Sequence, residues 1–129
     1  MNTTNSLFDL TGMVALISGA ASGMGRASAL AVAAHGADVL LADLNTDGLK
    51  RTAAEITALG RRAIGVTCDV SRPDQIRPLF EQLDREFGRI DFLANIAGEA
   101  ILASPEDITL DQVNQVLQNL VVGRFCMCQ

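Results

Sequence analysis

The sequence predicts an α/β fold built on one doubly wound parallel sheet, and the pattern of apolar residues is the basis for this prediction. Four short apolar runs alternate along the chain with four longer segments in which apolar residues recur at helical spacing. Such alternation is typical of a parallel sheet that is covered by helices on both faces. The chain has 129 residues, 49% of them hydrophobic, which is enough for one domain with a substantial core.

The predicted elements can be placed in order along the chain. The four predicted strands cover residues 13–18, 37–43, 63–68 and 90–94. The four predicted helices cover residues 26–35, 46–60, 71–88 and 109–129. Ser71 is the predicted cap of the third helix. Pro78 is expected to bend or restart that helix, because proline has no N–H for the helical hydrogen bond.

The composition argues against several classes of function. The net charge is -5 and the basic residues are scattered, whereas nucleic acids and anionic membranes are bound by clustered Lys and Arg. No apolar run approaches the roughly 20 residues of a membrane span, and the N-terminus lacks the features of a secretory signal. Cys68, Cys126 and Cys128 are odd in number and form no CxxC pair. We therefore expect a cytoplasmic protein without a metal site, a nucleic-acid partner or a membrane partner.

Glycines follow the first predicted strand in the segment "SGAASGMG". Gly19, Gly23 and Gly25 permit a tight turn and let backbone N–H groups approach a pyrophosphate at the start of a helix. A strand-to-helix turn without any ligand also requires glycine. From these residues alone, the two interpretations are about equally good.

An acid follows the second predicted strand. Asp43 comes 24 positions after Gly19, close to the spacing of about 20 residues at which an acid binds the ribose hydroxyls of a dinucleotide. The alternative is that Asp43 caps the next helix. Leu44 follows, and no Arg or Lys lies in the glycine loop before Gly25. A 2′-phosphate would meet a carboxylate and no cation there, so the sequence favours NAD over NADP.

Taken together, "SGAASGMGRA", "ADLN", "CDV" and "LANIAG" resemble the N-terminal half of the short-chain dehydrogenase/reductase family. The family patterns are TGxxxGxG, an acid after the second strand, DV after the third and NNAG after the fourth. The resemblance covers nearly the whole chain. It implies that residues 1–129 are a partial NAD(P)-binding domain, a Rossmann-type sheet truncated after its fourth strand and the following helix.

The resemblance also implies roles for individual residues. Ser18 replaces the family threonine, Asp69 would bind the adenine amino group and Val70 would cover the ring, although Asp69 could instead cap the next helix. Ile96 departs from the second Asn of NNAG. The residues expected to bind the cofactor are Ser18, Gly19, Ser22, Gly23, Met24, Gly25, Asp43, Leu44, Asp69, Val70, Asn95, Ala97 and Gly98.

One family feature is altered in the long last helix. The family has an Asn three positions before a Gly, and this Asn takes part in a proton relay. Here "NLVVG" places Asn119 four positions before Gly123. Either the helix contains one extra residue or Asn119 faces elsewhere. Asn119 is the one candidate catalytic residue, and Asn114 is a weaker alternative.

The other family catalytic residues, a Ser, a Tyr and a Lys, belong to a second half. This chain has no Tyr, and its one Lys is Lys50 in the second helix. His35 lies at a predicted helix end, where a capping role is expected. The resemblance therefore implies the cofactor half of an enzyme that transfers hydride between NAD(H) and a small alcohol or ketone, and we expect no turnover from this chain alone.

Two other functions are compatible with the sequence. One is a non-catalytic nucleotide-binding or oligomerisation fragment. The other is a methyltransferase using S-adenosylmethionine, which matches "CDV" and "NIAG" less well. Apolar residues cover too much of the last helix for it to have a single buried face, so we expect a homo-oligomer formed through that helix.

Overall fold

The computed structural model describes residues 6–129 and places four parallel strands in one sheet. The strands are β1 (Val14–Ser18), β2 (Asp38–Asp43), β3 (Ala63–Thr67) and β4 (Phe92–Asn95). Their order across the sheet is β3-β2-β1-β4. Ser18 at the end of β1 lies between Ala42 of β2 and Asn95 of β4. The predicted α/β parallel fold is confirmed, although β4 starts two residues later than predicted.

Helices connect the strands. They are α1 (Gly23–Ala34), α2 (Thr46–Ala58), α3 (Pro73–Phe87), α4 (Leu110–Leu117) and α5 (Arg124–Cys128). Between α4 and α5, residues Gln118–Gly123 form a π-helix, which we call the π segment, and a 3₁₀ turn covers Ser6–Phe8. Among the described residues, no helix is both long and apolar enough to cross a membrane.

The sheet has a core on each face, because neighbouring residues of a strand point in opposite directions. On one face, Leu16 and Leu40 pack with Leu79 of α3 and Met127 of α5. On the other face, Ile17 and Leu41 pack with α1 and α2. Covering both faces leaves only the strand ends available for a ligand.

The start of α3 differs from the prediction. Arg72 is the N-cap and Pro73 the first helical residue, where its fixed φ suits the helix and its missing N–H costs nothing. Ser71 is therefore not the cap. The helix also runs without interruption through Pro78, so the expectation of a restart there was wrong.

The long last helix begins as predicted. The Thr109 side chain accepts a hydrogen bond from the backbone N–H of Gln112, and the Gln112 side chain accepts one from the backbone N–H of Thr109. This reciprocal arrangement satisfies two N–H groups that have no helical partner. The helix then changes to π geometry at Gln118 instead of remaining α-helical to its end.

Ser18 connects β1 to the segment after β4. Its buried hydroxyl donates to the Ala94 carbonyl at 3.2 Å and accepts from the N–H groups of Ile96 and Ala97, both at 3.1 Å. These two N–H groups would lose their side-chain acceptor if the hydroxyl were removed.

We expect Ser18→Ala to lower the free energy of unfolding by about 1–3 kcal/mol, because the partly buried Ala97 N–H loses its hydrogen-bond acceptor. Urea unfolding followed by circular dichroism measures this change. Ser28→Ala, the same substitution in α1, is the matched control and should cost less than about 0.5 kcal/mol. Equal stability of the two variants would contradict the role given to the Ser18 hydroxyl.

Candidate cofactor site

A cleft of about 330 Å³ lies at the carboxyl edge of the sheet. Residues that follow all four strands line it, as the strand order requires. Of the residues expected to bind the cofactor, all line the cleft except Ser18 and Asn95. Cys68, Ile96, Glu99 and Asn119 complete the lining.

The glycines after β1 make close backbone contacts possible. Gly19 has φ +73°, and a Cβ there would lie 2.9 Å from the Ala97 nitrogen. A Cβ on Gly25 would lie only 1.9 Å from the Gly19 carbonyl oxygen. Gly23 has φ +52° and would direct a Cβ into open space. Gly19 and Gly25 are thus required by packing and Gly23 by its backbone conformation.

Helix α1 begins at Gly23, earlier than predicted, so its first turn contains Gly23, Met24 and Gly25 of the glycine loop. Its N-cap Ser22 makes no side-chain capping bond, whereas Asn45 caps α2 and Thr109 caps α4. The first N–H groups of α1 are therefore not satisfied by a capping side chain. Together with the helix dipole, they suit a phosphate at this end of the cleft.

The Asp43 side chain connects the end of β2 to the glycine loop by a hydrogen bond. Its Oδ2 accepts from the Ala21 N–H at 3.0 Å and its Oδ1 from the Asn45 N–H at 2.9 Å. The alternative that Asp43 caps α2 is wrong, because Asn45 holds that position and accepts from Gly48. The carboxylate thus lies at the cleft with lone pairs left for further donors.

Asp69 has a comparable position after β3. Its Oδ1 accepts from the Ser71 N–H at 2.9 Å and from the Ser71 hydroxyl at 2.6 Å. Asp69 does not cap α3, since Arg72 is the N-cap. The Asp69 carboxylate therefore stabilises the turn 69–71 by hydrogen bonds. Asp69 and Val70 of this turn line the cleft.

Ser18 and Asn95 are not among the residues that line the cleft. Ser18 is buried and makes the hydrogen bonds described above. The Asn95 side-chain amide donates to the Cys128 sulfur at 3.3 Å. Their direct contact with a cofactor stays a prediction.

Asn119 lines the cleft, and its side chain is hydrogen-bonded to the backbone. Its Oδ1 accepts from the Glu99 N–H at 2.9 Å. Of the two explanations given by the sequence, the extra residue agrees with the structure, because the π segment contains both Asn119 and Gly123. Asn114 is exposed and does not line the cleft.

The charged groups at the cleft are acidic. Asp43, Asp69 and Glu99 line it, and no Lys or Arg is among its lining residues in the described part of the chain. Arg26, the first cation after the glycine loop, is paired with Glu55 at 2.5 Å. Glu99 was missed at the sequence level, although its position directly after Gly98 at a strand end could have indicated it.

Between residues 6 and 129, no three His, Cys, Asp or Glu side chains come together as metal ligands. The His35 ring nitrogen Nδ1 lies 2.8 Å from the Ala31 carbonyl at the end of α1.

Comparison with known proteins identifies the family. Residues 13–129 match the family model described as short chain dehydrogenase. The chain belongs to the short-chain dehydrogenase family. A D-threitol dehydrogenase of Mycolicibacterium smegmatis is 40% identical over 122 residues, which cover 95% of this chain and 47% of that protein. The chain thus spans about half the length of the curated relatives it matches.

Two solved short-chain dehydrogenase structures resemble the fold closely. An NAD+-bound xylitol dehydrogenase has a TM-score of 0.88 and 32% identity, over 92% of this chain and 46% of its own. A short chain dehydrogenase from Burkholderia cenocepacia J2315 in complex with NADP has a TM-score of 0.90 and 34% identity, over 94% of this chain and 50% of its own. Relatives of this chain thus bind both forms of the nicotinamide dinucleotide.

Cys68 is the one thiol among the cleft-lining residues that the structure describes, and it is buried. Burial raises its pKa to about 11, and the neighbouring Asp69 carboxylate acts in the same direction. The reactive thiolate is therefore scarce at neutral pH. Cys128, by contrast, is exposed.

We expect iodoacetamide at pH 8 to alkylate Cys128 quickly and Cys68 only after unfolding in urea, as measured by peptide mass spectrometry. The raised pKa keeps the Cys68 thiol neutral in the folded protein, whereas the same thiol in the unfolded chain has a pKa of about 8.5. The stabilisation from this group is therefore complete at pH values below this unfolded pKa and is lost as the pH rises toward 11. Equally fast labelling of both cysteines without urea would contradict this assignment.

Proposed function

We propose that this chain is the NAD-binding portion of a short-chain dehydrogenase whose complete form transfers hydride between NAD(H) and a small alcohol or ketone. One observation carries the proposal. The first turn of α1, whose N–H groups have no capping side chain, and the Asp43 carboxylate line the same cleft. When bound, the nicotinamide ring supplies the hydride chemistry. The residues of this chain bind and orient the dinucleotide.

Each part of the cleft has one task in this proposal. The N–H groups at the start of α1 hold the pyrophosphate, and Asp43 accepts hydrogen bonds from the adenosine ribose. Asp69 accepts from the adenine amino group, and Val70 covers the ring. The fixed contacts of Asp43 and Asp69 with backbone N–H groups support these tasks, because they hold both carboxylates in place before a ligand arrives.

We further propose that NAD is preferred over NADP. A 2′-phosphate beside Asp43 would meet an acidic lining, and Arg26 is occupied by Glu55. Because the relative from Burkholderia cenocepacia was solved in complex with NADP, the preference has to be measured on this chain.

Calorimetric titration with NAD+ and NADP+ tests the cofactor assignment. We expect tighter binding of NAD+ by at least about tenfold, since a hydrogen bond to a charged group contributes about 1.5–3 kcal/mol. Asp43→Asn should weaken NAD+ binding and reduce the preference. Asp47→Asn is the matched control, because Asp47 is an exposed acid outside the cleft lining. Binding of NADP+ as tightly as NAD+ would contradict the proposed preference.

The proton transfer that accompanies hydride transfer needs groups that this chain does not contain. It has no Tyr, and Lys50 is exposed on α2, where it lies 4.0 Å from Asp47. We therefore propose that these 129 residues bind the cofactor without turning it over. The threitol and xylitol enzymes among the relatives support a polyol as the substrate class of the complete form.

We expect the 129-residue chain to produce no NADH from NAD+ and D-threitol or xylitol, as followed by NADH absorbance. The reason is the absence of a Tyr that could exchange the substrate proton. A full-length relative, D-threitol dehydrogenase, is the positive control for the assay. NADH formation that depends on this chain would contradict the proposal.

The exposed apolar side of the last helix supports self-association as a second property. Val121 is 57% and Phe125 63% exposed, whereas Asn119 and Gly123 of the same helix contact the loops of the cleft. We propose that a second copy of the chain covers Val121 and Phe125. Sedimentation over a range of protein concentrations tests this, with Phe125→Glu expected to shift the equilibrium toward monomer.

A further inference from the structure

The π segment contacts the loop after β3, residues 68–72, at two points. The Gln118 side-chain amide donates to the Ser71 carbonyl at 3.0 Å. Gly123 packs so closely on Val70 that a Cβ would lie 2.1 Å from the Val70 carbonyl oxygen. One end of the segment therefore bonds to this loop and the other end packs against it.

The same helix also contacts the segment after β4. Asn119 accepts from the Glu99 N–H, as described above. A Cβ on Gly98 would lie 2.4 Å from Leu120 Cδ2, and the Arg124 guanidinium lies 3.5 Å from the Ala97 carbonyl. The helix thus contacts both the loop after β3 and the segment after β4, and both of these line the cleft.

The π geometry explains how Gln118 and Gly123 reach one loop. Residues five apart point about 140° away from each other on a regular α-helix. In a π turn the hydrogen bond joins residues five apart and brings them over one another. A Cβ on Gly123 would indeed lie 3.4 Å from the Gln118 carbonyl oxygen. The extra residue therefore directs both ends of the segment to the Val70–Ser71 backbone.

We propose that Gln118 is a positioning residue that fixes the adenine-binding turn 69–71, an inference that rests on the proposed cofactor function. Ser71 is held from two sides: its N–H and hydroxyl donate to Asp69, and its carbonyl accepts from Gln118. Gln118 is half-buried, so water replaces this bond poorly. By holding Ser71, Gln118 sets the orientation of the Asp69 carboxylate toward the base.

The test compares NAD+ with its hypoxanthine analogue, in which oxygen replaces the adenine amino group. We expect the wild-type protein to prefer NAD+, because Asp69 accepts from that amino group. Gln118→Met keeps the length of the side chain but cannot donate, and it should weaken NAD+ binding about three- to tenfold and narrow the preference between the two dinucleotides. Gln118→Glu should act in the same direction, since a carboxylate faces the Ser71 carbonyl.

The matched control is Gln82→Met, the same substitution at a half-buried residue of α3 that lies outside the cleft lining, and this variant should bind both dinucleotides like the wild type. Amide hydrogen exchange provides a second readout, with faster exchange expected at residues 69–72 in Gln118→Met while β1 and β2 keep their protection. A Gln118→Met protein with wild-type preference and exchange would overturn the inference while the cofactor assignment stands. Loss of folding in both Gln118 variants would overturn it as well, since a local positioning role predicts folded proteins. Failure of the wild type to bind either dinucleotide would overturn the proposed function and this inference with it.

Discussion

The close approach of the glycine loop to the segment after β4 is the constraint on which the cleft depends. Gly19 lies so near the Ala97 backbone that no side chain fits between them. The Ser18 hydroxyl accepts a hydrogen bond from the Ala97 N–H of the same segment. Gly25 in turn allows α1 to start directly against the Gly19 carbonyl. These contacts place the start of α1 beside the ends of β2, β3 and β4, where a dinucleotide can reach all of them.

Much of this arrangement could be predicted because parallel strands end at one edge of the sheet. The positions of Asp43, Asp69 and Gly98 along the chain therefore implied a common site before any contact was known. The alternatives for the two acids were decided only by structure. Asn45 and Arg72 hold the cap positions, and which of several adjacent residues caps a helix depends on local backbone angles that composition does not specify.

The π segment could not be predicted as such. The spacing of Asn119 and Gly123 left open whether the helix contains one extra residue or Asn119 faces elsewhere, and it did not indicate a π turn. The outcome depends on tertiary contacts, since Gly123 must pass the Val70 carbonyl while Asn119 stays on the Glu99 N–H. A wide turn satisfies both contacts where a regular α-helix would satisfy one.

The hydrogen bonds of Ser18 also have a consequence for the order of folding. They join residues 76 to 79 positions apart, so the cleft cannot form before the segment after β4 has joined the sheet. Long-range closure of this kind is slow because loop entropy is lost before the contacts form. A dinucleotide that binds only the closed arrangement would therefore stabilise the docking of β4 by mass action and act as a template for the last stage of assembly.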